Sequence, residues 1–158
     1  MDEKNTNYLL KKYPKLYAQY YWDKTQTCMC WGFDIQPGWF KLIDGLSRRL
    51  TKLDPDGTLQ AEQVKEKFGG LRFYYGGKVR TKEAADKIRE LVNKAEAKSF
   101  HICQECGKKG KMRNDAGWYV TLCERHLKER LDPEYLMRKR VKLKPFRHET
   151  NKKYKVKK

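Results

Sequence analysis

Apolar side chains recur with the spacing of an α-helix in three segments of the first hundred residues. The first segment follows Asn5 or Thr6, either of which could cap a helix, and it is interrupted by Pro14. The second begins at Pro37, and the third follows Thr81. The inward positions of the second segment are Phe40, Ile43, Leu46 and Leu50. Those of the third segment are Ala85, Ile88, Leu91, Val92 and Ala95. The pattern therefore predicts three amphipathic helices.

A β-hairpin is predicted where the apolar period changes from helical to alternating, over residues 63–75 around Gly69-Gly70. Leu71 and Phe73 fall on the face expected to bury against the helices, and Arg72 and Tyr74 fall on the other. With Lys65 and Lys67 nearby, that second face is either a solvated outer surface or a basic and aromatic platform for stacked bases.

Four candidate metal ligands follow this region. Cys103 and Cys106 are separated by two residues, and sixteen residues later Cys123 and His126 have the same separation. Three thiolates and one imidazole with this spacing form a tetrahedral set for Zn2+. A site with four protein ligands has no open position for water or substrate, so we expect it to be structural and not catalytic.

The residues around these ligands predict how they are positioned. Gly107 directly follows the first pair, where a tight turn favours a positive φ. Residues 108–114 and 117–122 are expected to form a hairpin, and Cys123 begins a helix on which His126 faces the same ion. A knuckle, a hairpin and a helix in this order predict a treble-clef-like zinc finger.

The predicted class is therefore α+β, in three parts. Residues 1–100 form a domain of helices and a Gly-Gly hairpin, residues 101–131 form the zinc module, and residues 132–158 form a short helix after Asp132-Pro133 and a basic, flexible tail.

The chain carries five cysteines. Cys28 and Cys30 lie apart from the predicted zinc ligands, and we favour a loop with partly buried thiols over a second metal site.

Positive charge is the strongest compositional signal. The formal net charge is +17; residues 1–100 have 19 Lys/Arg against 13 Asp/Glu, and residues 101–158 have 18 against 7. Such an excess attracts polyanions, most commonly nucleic acid. The candidate contacts for RNA or DNA are Lys65, Lys67, Arg72, Tyr74, Arg138, Lys139, Arg140, Lys142, Lys144, Arg147, Lys152 and Lys153.

We recognise neither a secretory signal peptide nor a membrane-spanning segment in the sequence. The first ten residues are polar and charged, and no apolar run is long enough for a membrane span. Cysteines with zinc-type spacing are typical of a reducing cytosol, whereas a disulfide framework indicates an oxidising compartment. We therefore expect a cytoplasmic protein without a membrane partner.

Several motifs occur together in an order that is similar to a known group of proteins. They are LLKKYPKLY from Leu9, GWF-x-LID-x-L from Gly38, QVKEKFGGLRFY from Gln63, IC-x-ECG from Ile102 and W-x-x-TLC-x-x-H from Trp118. Over residues 8–128 the chain resembles a family of small, largely uncharacterised proteins encoded by phages and prophages. The resemblance implies a phage setting and the host cytoplasm, and it implies no activity. The stretch from Cys28 to Gly38 is longer than in that family, and the basic tail lies outside the shared region.

Two functions fit these features, and neither involves catalysis. The first is a zinc-stabilised protein that binds nucleic acid through a basic surface and tail. The second is an inhibitor or adaptor that binds a host protein or nucleoprotein complex during infection, in host takeover or anti-defence. A treble-clef nuclease is disfavoured because it needs a histidine in the hairpin, whereas His101 precedes the knuckle and His148 lies in the tail.

Overall fold

The computed structural model describes residues 1–114, 117–132 and Glu134, and it shows a mixed α+β fold. The helices are α1 (Glu3–Lys12), α2 (Phe40–Leu53), α3 (Lys82–Ser99) and α4 (Glu124–Leu131). The strands are β1 (Phe33–Asp34), β2 (Gln60–Lys67), β3 (Gly70–Gly76), β4 (Lys111–Arg113) and β5 (Val120–Leu122). The α+β class predicted from the sequence is confirmed at this level. In the described part of the chain, no helix combines the length and the apolar character needed to cross a bilayer.

A three-stranded sheet with the order β1-β2-β3 forms one layer of the larger core. β1 runs parallel to β2, and β2 is antiparallel to β3 with Val64 opposite Phe73. One face of this sheet is buried with side chains of α1, α2 and α3 in a single apolar cluster. The alternation predicted for β3 is confirmed, because Phe73 is 3% exposed and its neighbour Tyr74 is 44% exposed.

The turn between β2 and β3 differs from the prediction by one residue. Its two central residues are Phe68 and Gly69, with φ of 52° and 77°, and Gly70 already belongs to β3. Both φ values are positive, which is the signature of a type I′ hairpin turn. Gly70 is required for a different reason: a Cβ there would lie 2.3 Å from Cζ of Phe100.

The first helix begins earlier than the sequence pattern predicted. Asp2, and not Asn5 or Thr6, is the N-cap, and its carboxylate accepts the N–H of Asn5 at 2.8 Å. The Asn5 side chain also donates to the other carboxylate oxygen of Asp2 at 2.7 Å, which helps to hold the capping carboxylate in place. After Pro14 the chain continues as a short 3-10 turn, Ala18–Tyr21, and not as a second α-helical segment.

The helices α2 and α3 bury most of their predicted stripes. Pro37 opens a 3-10 turn that leads into α2, where Ile43, Leu46 and Leu50 are buried. Thr81 caps α3 as predicted, by accepting the N–H of Ala84 at 3.1 Å. The assignment of Ala85 to the inner stripe was wrong, because its side chain is exposed and the buried face starts one turn later.

Candidate metal centre and basic face

The first ligand pair lies on a tight loop that is closed by backbone hydrogen bonds. The N–H of Cys103 donates to the carbonyl of Lys108 at 2.7 Å, and the N–H of Gly107 donates to the carbonyl of Cys103 at 2.8 Å. Gly107 has φ of 76°, which confirms the positive φ predicted there. The loop directs Cys103 and Cys106 to the same side.

The second ligand pair is delivered by a hairpin and the helix that follows it. β4 and β5 pair antiparallel with Met112 opposite Thr121, as the sequence predicted for residues 108–122. Cys123 follows β5 directly and is the N-cap of α4, and its carbonyl accepts the N–H of Leu127 at 3.0 Å. His126, in the first turn of α4, therefore lies beside Cys123.

The four predicted ligands come together in a single cluster. Their ligand atoms all lie within 4.8 Å of one another. Nδ1 of His126 is 3.3 Å from Sγ of both Cys103 and Cys123, and Sγ of Cys106 is 3.9 Å from Sγ of Cys123. Zn–S and Zn–N bonds of ordinary length place tetrahedral S···S and S···N pairs about 3.8 and about 3.5 Å apart. The cluster thus has the dimensions of a four-coordinate metal site.

The surroundings of the cluster shift the pKa values of two of its thiols in opposite directions. Cys103 is fully buried beside Val120 and Leu122, and burial raises the pKa of its thiol to about 11. Burial also acts to raise the pKa of the Cys123 thiol, but hydrogen bonds from the backbone of His126 and from neighbouring groups outweigh it and lower that pKa. A metal ion takes cysteine as the thiolate, so binding at Cys103 displaces its proton.

The second ring nitrogen of His126 has a charged neighbour on the same helix. Nε2 lies 3.6 Å from the carboxylate of Glu129 and 2.9 Å from Nη2 of Arg125. When a metal occupies Nδ1, the ring proton resides on Nε2, and only the carboxylate can accept it. At 3.6 Å the Glu129 carboxylate is beyond hydrogen-bond distance of Nε2, so it would have to move closer to accept that proton.

The knuckle is joined to the helical part of the protein by main-chain contact. The N–H of Gly38 donates to the carbonyl of Gln104 at 2.7 Å, and Nε1 of Trp39 donates to the carbonyl of Ile102 at 2.8 Å. A Cβ at position 38 would lie 2.3 Å from the carbonyl oxygen of Cys103. Only glycine allows this approach, which holds the first ligand pair against the start of α2.

A second junction joins the β2–β3 turn to β5. Thr121, which is fully buried, donates its hydroxyl to the carbonyl of Gly69 at 2.6 Å. A Cβ at Gly69 would lie 3.2 Å from the backbone nitrogen of Val120. The turn of the large sheet and the strand that precedes Cys123 therefore touch through their backbones.

The predicted basic and aromatic residues lie together on the outer face of the large sheet. Lys65 is opposite Arg72 in the β2–β3 register, and its Nζ lies 5.9 Å from the ring centre of Tyr74. Lys67 follows on the same side of β2, because side chains two apart on a strand share a face. Among the residues that the structure describes, Lys65, Lys67 and Arg72 form no ion pair. The helix predicted after Asp132-Pro133 lies outside the described residues. So do the remaining candidate contacts for nucleic acid, which are Arg138, Lys139, Arg140, Lys142, Lys144, Arg147, Lys152 and Lys153.

Cys28 and Cys30 lie in and beside a 3-10 turn, Met29–Trp31, away from the metal cluster. Cys28 is exposed, and the half-buried Cys30 donates its thiol to the carbonyl of Thr27 at 3.2 Å. Within the described part of the chain, the Cys103 cluster is the one group of three or more candidate ligands close enough to share an ion. The predicted partly buried thiol is therefore found at Cys30, whereas Cys28 departs from the prediction because it is exposed.

Three exposed aromatic residues in or beside the β2–β3 turn are not among the contacts predicted from the sequence. Phe68, Trp118 and Tyr119 are 63%, 76% and 47% exposed. The one signal in the sequence was an aromatic residue directly before Gly69 at a hairpin turn, where asparagine, aspartate or glycine is usual. The proximity of Phe68 to Tyr119 depends on the junction between the two hairpins and has no local sequence pattern.

No family model matches the chain, and neither a curated protein nor a solved structure is similar to it. The resemblance to phage-encoded proteins therefore rests on the sequence motifs alone.

Proposed function

We propose that residues 101–131 form a treble-clef zinc finger whose Zn2+ is structural. Support comes from the order of knuckle, hairpin and helix, and from four ligand atoms within 4.8 Å of one another. Three sulfurs and one nitrogen suit Zn2+ better than Mg2+ or Ca2+, which prefer oxygen ligands. With Cys103, Cys106, Cys123 and His126 all bound, the ion has no open position, so it stabilises the module and takes no part in a reaction.

We further propose that the protein binds nucleic acid through the outer face of its large sheet and its basic tail, without catalysis. The observation that carries this proposal is the group of three cations, Lys65, Lys67 and Arg72, which form no ion pair within the described chain and lie on the same face as Tyr74. Cations kept free of carboxylates can neutralise phosphates at little cost. The Tyr74 ring, beside Lys65 at the end of this group, offers a surface on which a base can stack.

The tail extends this proposal beyond the described residues. Residues 138–158 contain eleven Lys/Arg and one Glu, so they add the largest local positive charge in the sequence. Such a segment contacts phosphates with little sequence preference. The proposed setting is a phage- or prophage-encoded protein in the host cytoplasm, and its support is the motif resemblance over residues 8–128.

A charge-neutralised variant tests the sheet face. Lys65→Gln/Lys67→Gln/Arg72→Gln should weaken binding to RNA and DNA and lower the slope of log affinity against log salt by about 2 on single strands. The matched control removes the same charge from the exposed side of α2, with Lys41→Gln/Arg49→Gln/Lys52→Gln. The control should leave the affinity nearly unchanged, because those side chains lie on a helix that packs against the opposite side of the sheet.

Two outcomes would contradict the proposal. Equal losses in both variants would show that net charge, and not the sheet face, determines binding. If the unsubstituted protein binds neither RNA nor DNA at physiological salt, nucleic acid is not the partner, and the alternative function applies: an inhibitor or adaptor that binds a host protein.

A further inference from the structure

Phe68 combines two properties that rarely occur together. It is the one non-glycine residue with a positive φ, 52°, in the described part of the chain, and its side chain is 63% exposed. The left-handed region is unfavourable for a bulky side chain, and exposure means that little burial offsets this cost. An observed outlier of this kind points to a functional role for the side chain.

The backbone around Phe68 is fixed from several sides. The carboxylate of Glu66 accepts the N–H of Gly69 at 2.6 Å, and the hydroxyl of Thr121 donates to the carbonyl of Gly69 at 2.6 Å. The backbone of Val120 lies against Gly69. The turn is therefore held in a single conformation, which presents the Phe68 ring outward without a large loss of freedom on binding.

A second ring completes the surface. Tyr119 lies edge-on to Phe68, with ring centres 6.5 Å apart and an interplanar angle of 88°. The two rings thus form an open corner, and Trp118, the preceding residue, is 76% exposed. The adjoining rings of Phe68 and Tyr119 form a larger apolar surface than a scattered single residue does, and such surfaces mark interaction sites.

Charge indicates which partner fits this corner. Nζ of Lys67 lies 5.3 Å from the ring centre of Phe68, and Lys67 also belongs to the cationic sheet face with Lys65 and Arg72. The aromatic corner is therefore continuous with the surface proposed to hold phosphates. A polyanion with flat, unpaired rings matches both halves of this surface.

We propose that Phe68 and Tyr119, with Trp118 beside them, form a stacking site for the unpaired bases of a single-stranded nucleic acid. This inference rests on the proposed nucleic-acid binding and adds the class of ligand. Lys65, Lys67 and Arg72 contact the backbone phosphates, and the corner takes up bases that leave the strand. Bases in a duplex are already stacked on each other, so a duplex can use only the cationic part of the surface.

The test separates bases from phosphates. Binding is measured by fluorescence anisotropy with three ligands of equal length: an oligothymidylate, a fully abasic strand and a duplex. A length of about twelve nucleotides is chosen because single-strand-binding domains cover roughly 4–16 nucleotides. The variants are Phe68→Asn and Tyr119→Ser in the full chain. Asparagine favours the left-handed conformation, so Phe68→Asn should fold with an unchanged or higher Tm. The control is Trp22→Ser, because Trp22 is 45% exposed and lies at the end of the Ala18–Tyr21 turn.

The unsubstituted protein should bind oligothymidylate more tightly than the abasic strand. Phe68→Asn should weaken oligothymidylate binding by roughly 5- to 150-fold, the range for removal of one stacking aromatic, and should leave binding to the abasic strand and the salt slope unchanged. Tyr119→Ser should act in the same direction, and Trp22→Ser should have no effect.

The inference and the proposed function fail in different ways. If Phe68→Asn and the unsubstituted protein bind oligothymidylate equally while both bind in a salt-dependent manner, the corner does not stack bases, and the cationic face alone carries the function. If the unsubstituted protein binds none of the three ligands, both proposals are wrong, and the aromatic corner is then better explained as a contact for a protein.

Discussion

Gly38 shows how one residue can decide whether the metal module packs correctly. A Cβ at this position would lie 2.3 Å from the carbonyl oxygen of Cys103 and 2.6 Å from that of Gln104. Both obstacles are backbone atoms, which cannot rotate away as a flexible side chain can. The close approach is therefore available only to glycine.

We predict that Gly38→Ala lowers the free energy of unfolding by about 1–3 kcal/mol, the usual range for overpacking. Gly45→Ala is the matched control, because Gly45 lies within α2 and a Cβ there would meet nothing within 4 Å. The control should raise stability by about 0.5–1 kcal/mol, since alanine favours the helix. Urea denaturation measures both changes, and a Gly38→Ala protein as stable as Gly45→Ala would contradict the packing described here.

Individual residues also show how far sequence reasoning extends. The ligands could be predicted because Cys103, Cys106, Cys123 and His126 carry their signal in short spacings that any chain can display. The contact between Phe68 and Tyr119 could not, because it depends on how two hairpins dock. The hydrogen bond from Thr121 to Gly69 that fixes this docking involves residues with no distinctive pattern.

The strand β3 offers a direct test at the level of an element. Phe73 is 3% exposed and Tyr74 is 44% exposed, so the two aromatic neighbours differ in burial but not in size. We predict that Phe73→Ala lowers the free energy of unfolding by about 3–5 kcal/mol and that Tyr74→Ala lowers it by less than about 1 kcal/mol. Thermal and urea denaturation measure both. Similar decreases in the two variants would mean that the strand does not bury the predicted face.

The metal module is the second element whose integrity can be tested. We predict one zinc ion per chain and its loss in Cys106→Ala, with unfolding of at least residues 101–131, because structural zinc contributes about 10–16 kcal/mol of apparent binding free energy in finger peptides. Cys28→Ala should retain the ion, since Cys28 is exposed and lies outside the cluster. Elemental analysis and near-UV circular dichroism are the measurements. Zinc retained at full occupancy in Cys106→Ala would refute the ligand set.

The long elements were predictable from their period, and the short β4–β5 hairpin was predictable from the turn residues and candidate ligands around it. The helices α2 and α3 contain enough turns for an apolar stripe to show, and β2 and β3 are long enough to alternate. β1 has only two residues, Phe33 and Asp34, so its parallel pairing with β2 has no period to detect. The hairpin turn was displaced by one residue, because the prediction centred it on Gly69-Gly70 whereas the positive φ values belong to Phe68 and Gly69.

The whole molecule carries its charge unevenly, and this leads to a prediction for the tail. Removing residues 138–158 should lower the salt slope by several units, because each phosphate that the tail no longer neutralises on duplex DNA reduces the slope by about 0.9. The zinc content and the Tm should not change, because the four candidate ligands and the residues of both apolar clusters all precede residue 138. An unchanged affinity and slope would assign all phosphate binding to the sheet face.

The backbone junctions have a consequence for how this protein can vary. Gly38, Trp39 and Gly69 supply hydrogen-bond partners or contact surface to residues 101–122, which lie far away in sequence. A segment with such dependence is a poor unit for transplantation, since a new host chain would have to provide a glycine and an indole at matching places. Substitutions at Gly38, Trp39 or Gly69 are therefore constrained jointly with substitutions in residues 101–122. Grafting the ligand-bearing segment alone would transfer the four candidate ligands without the surface that holds their backbone in place.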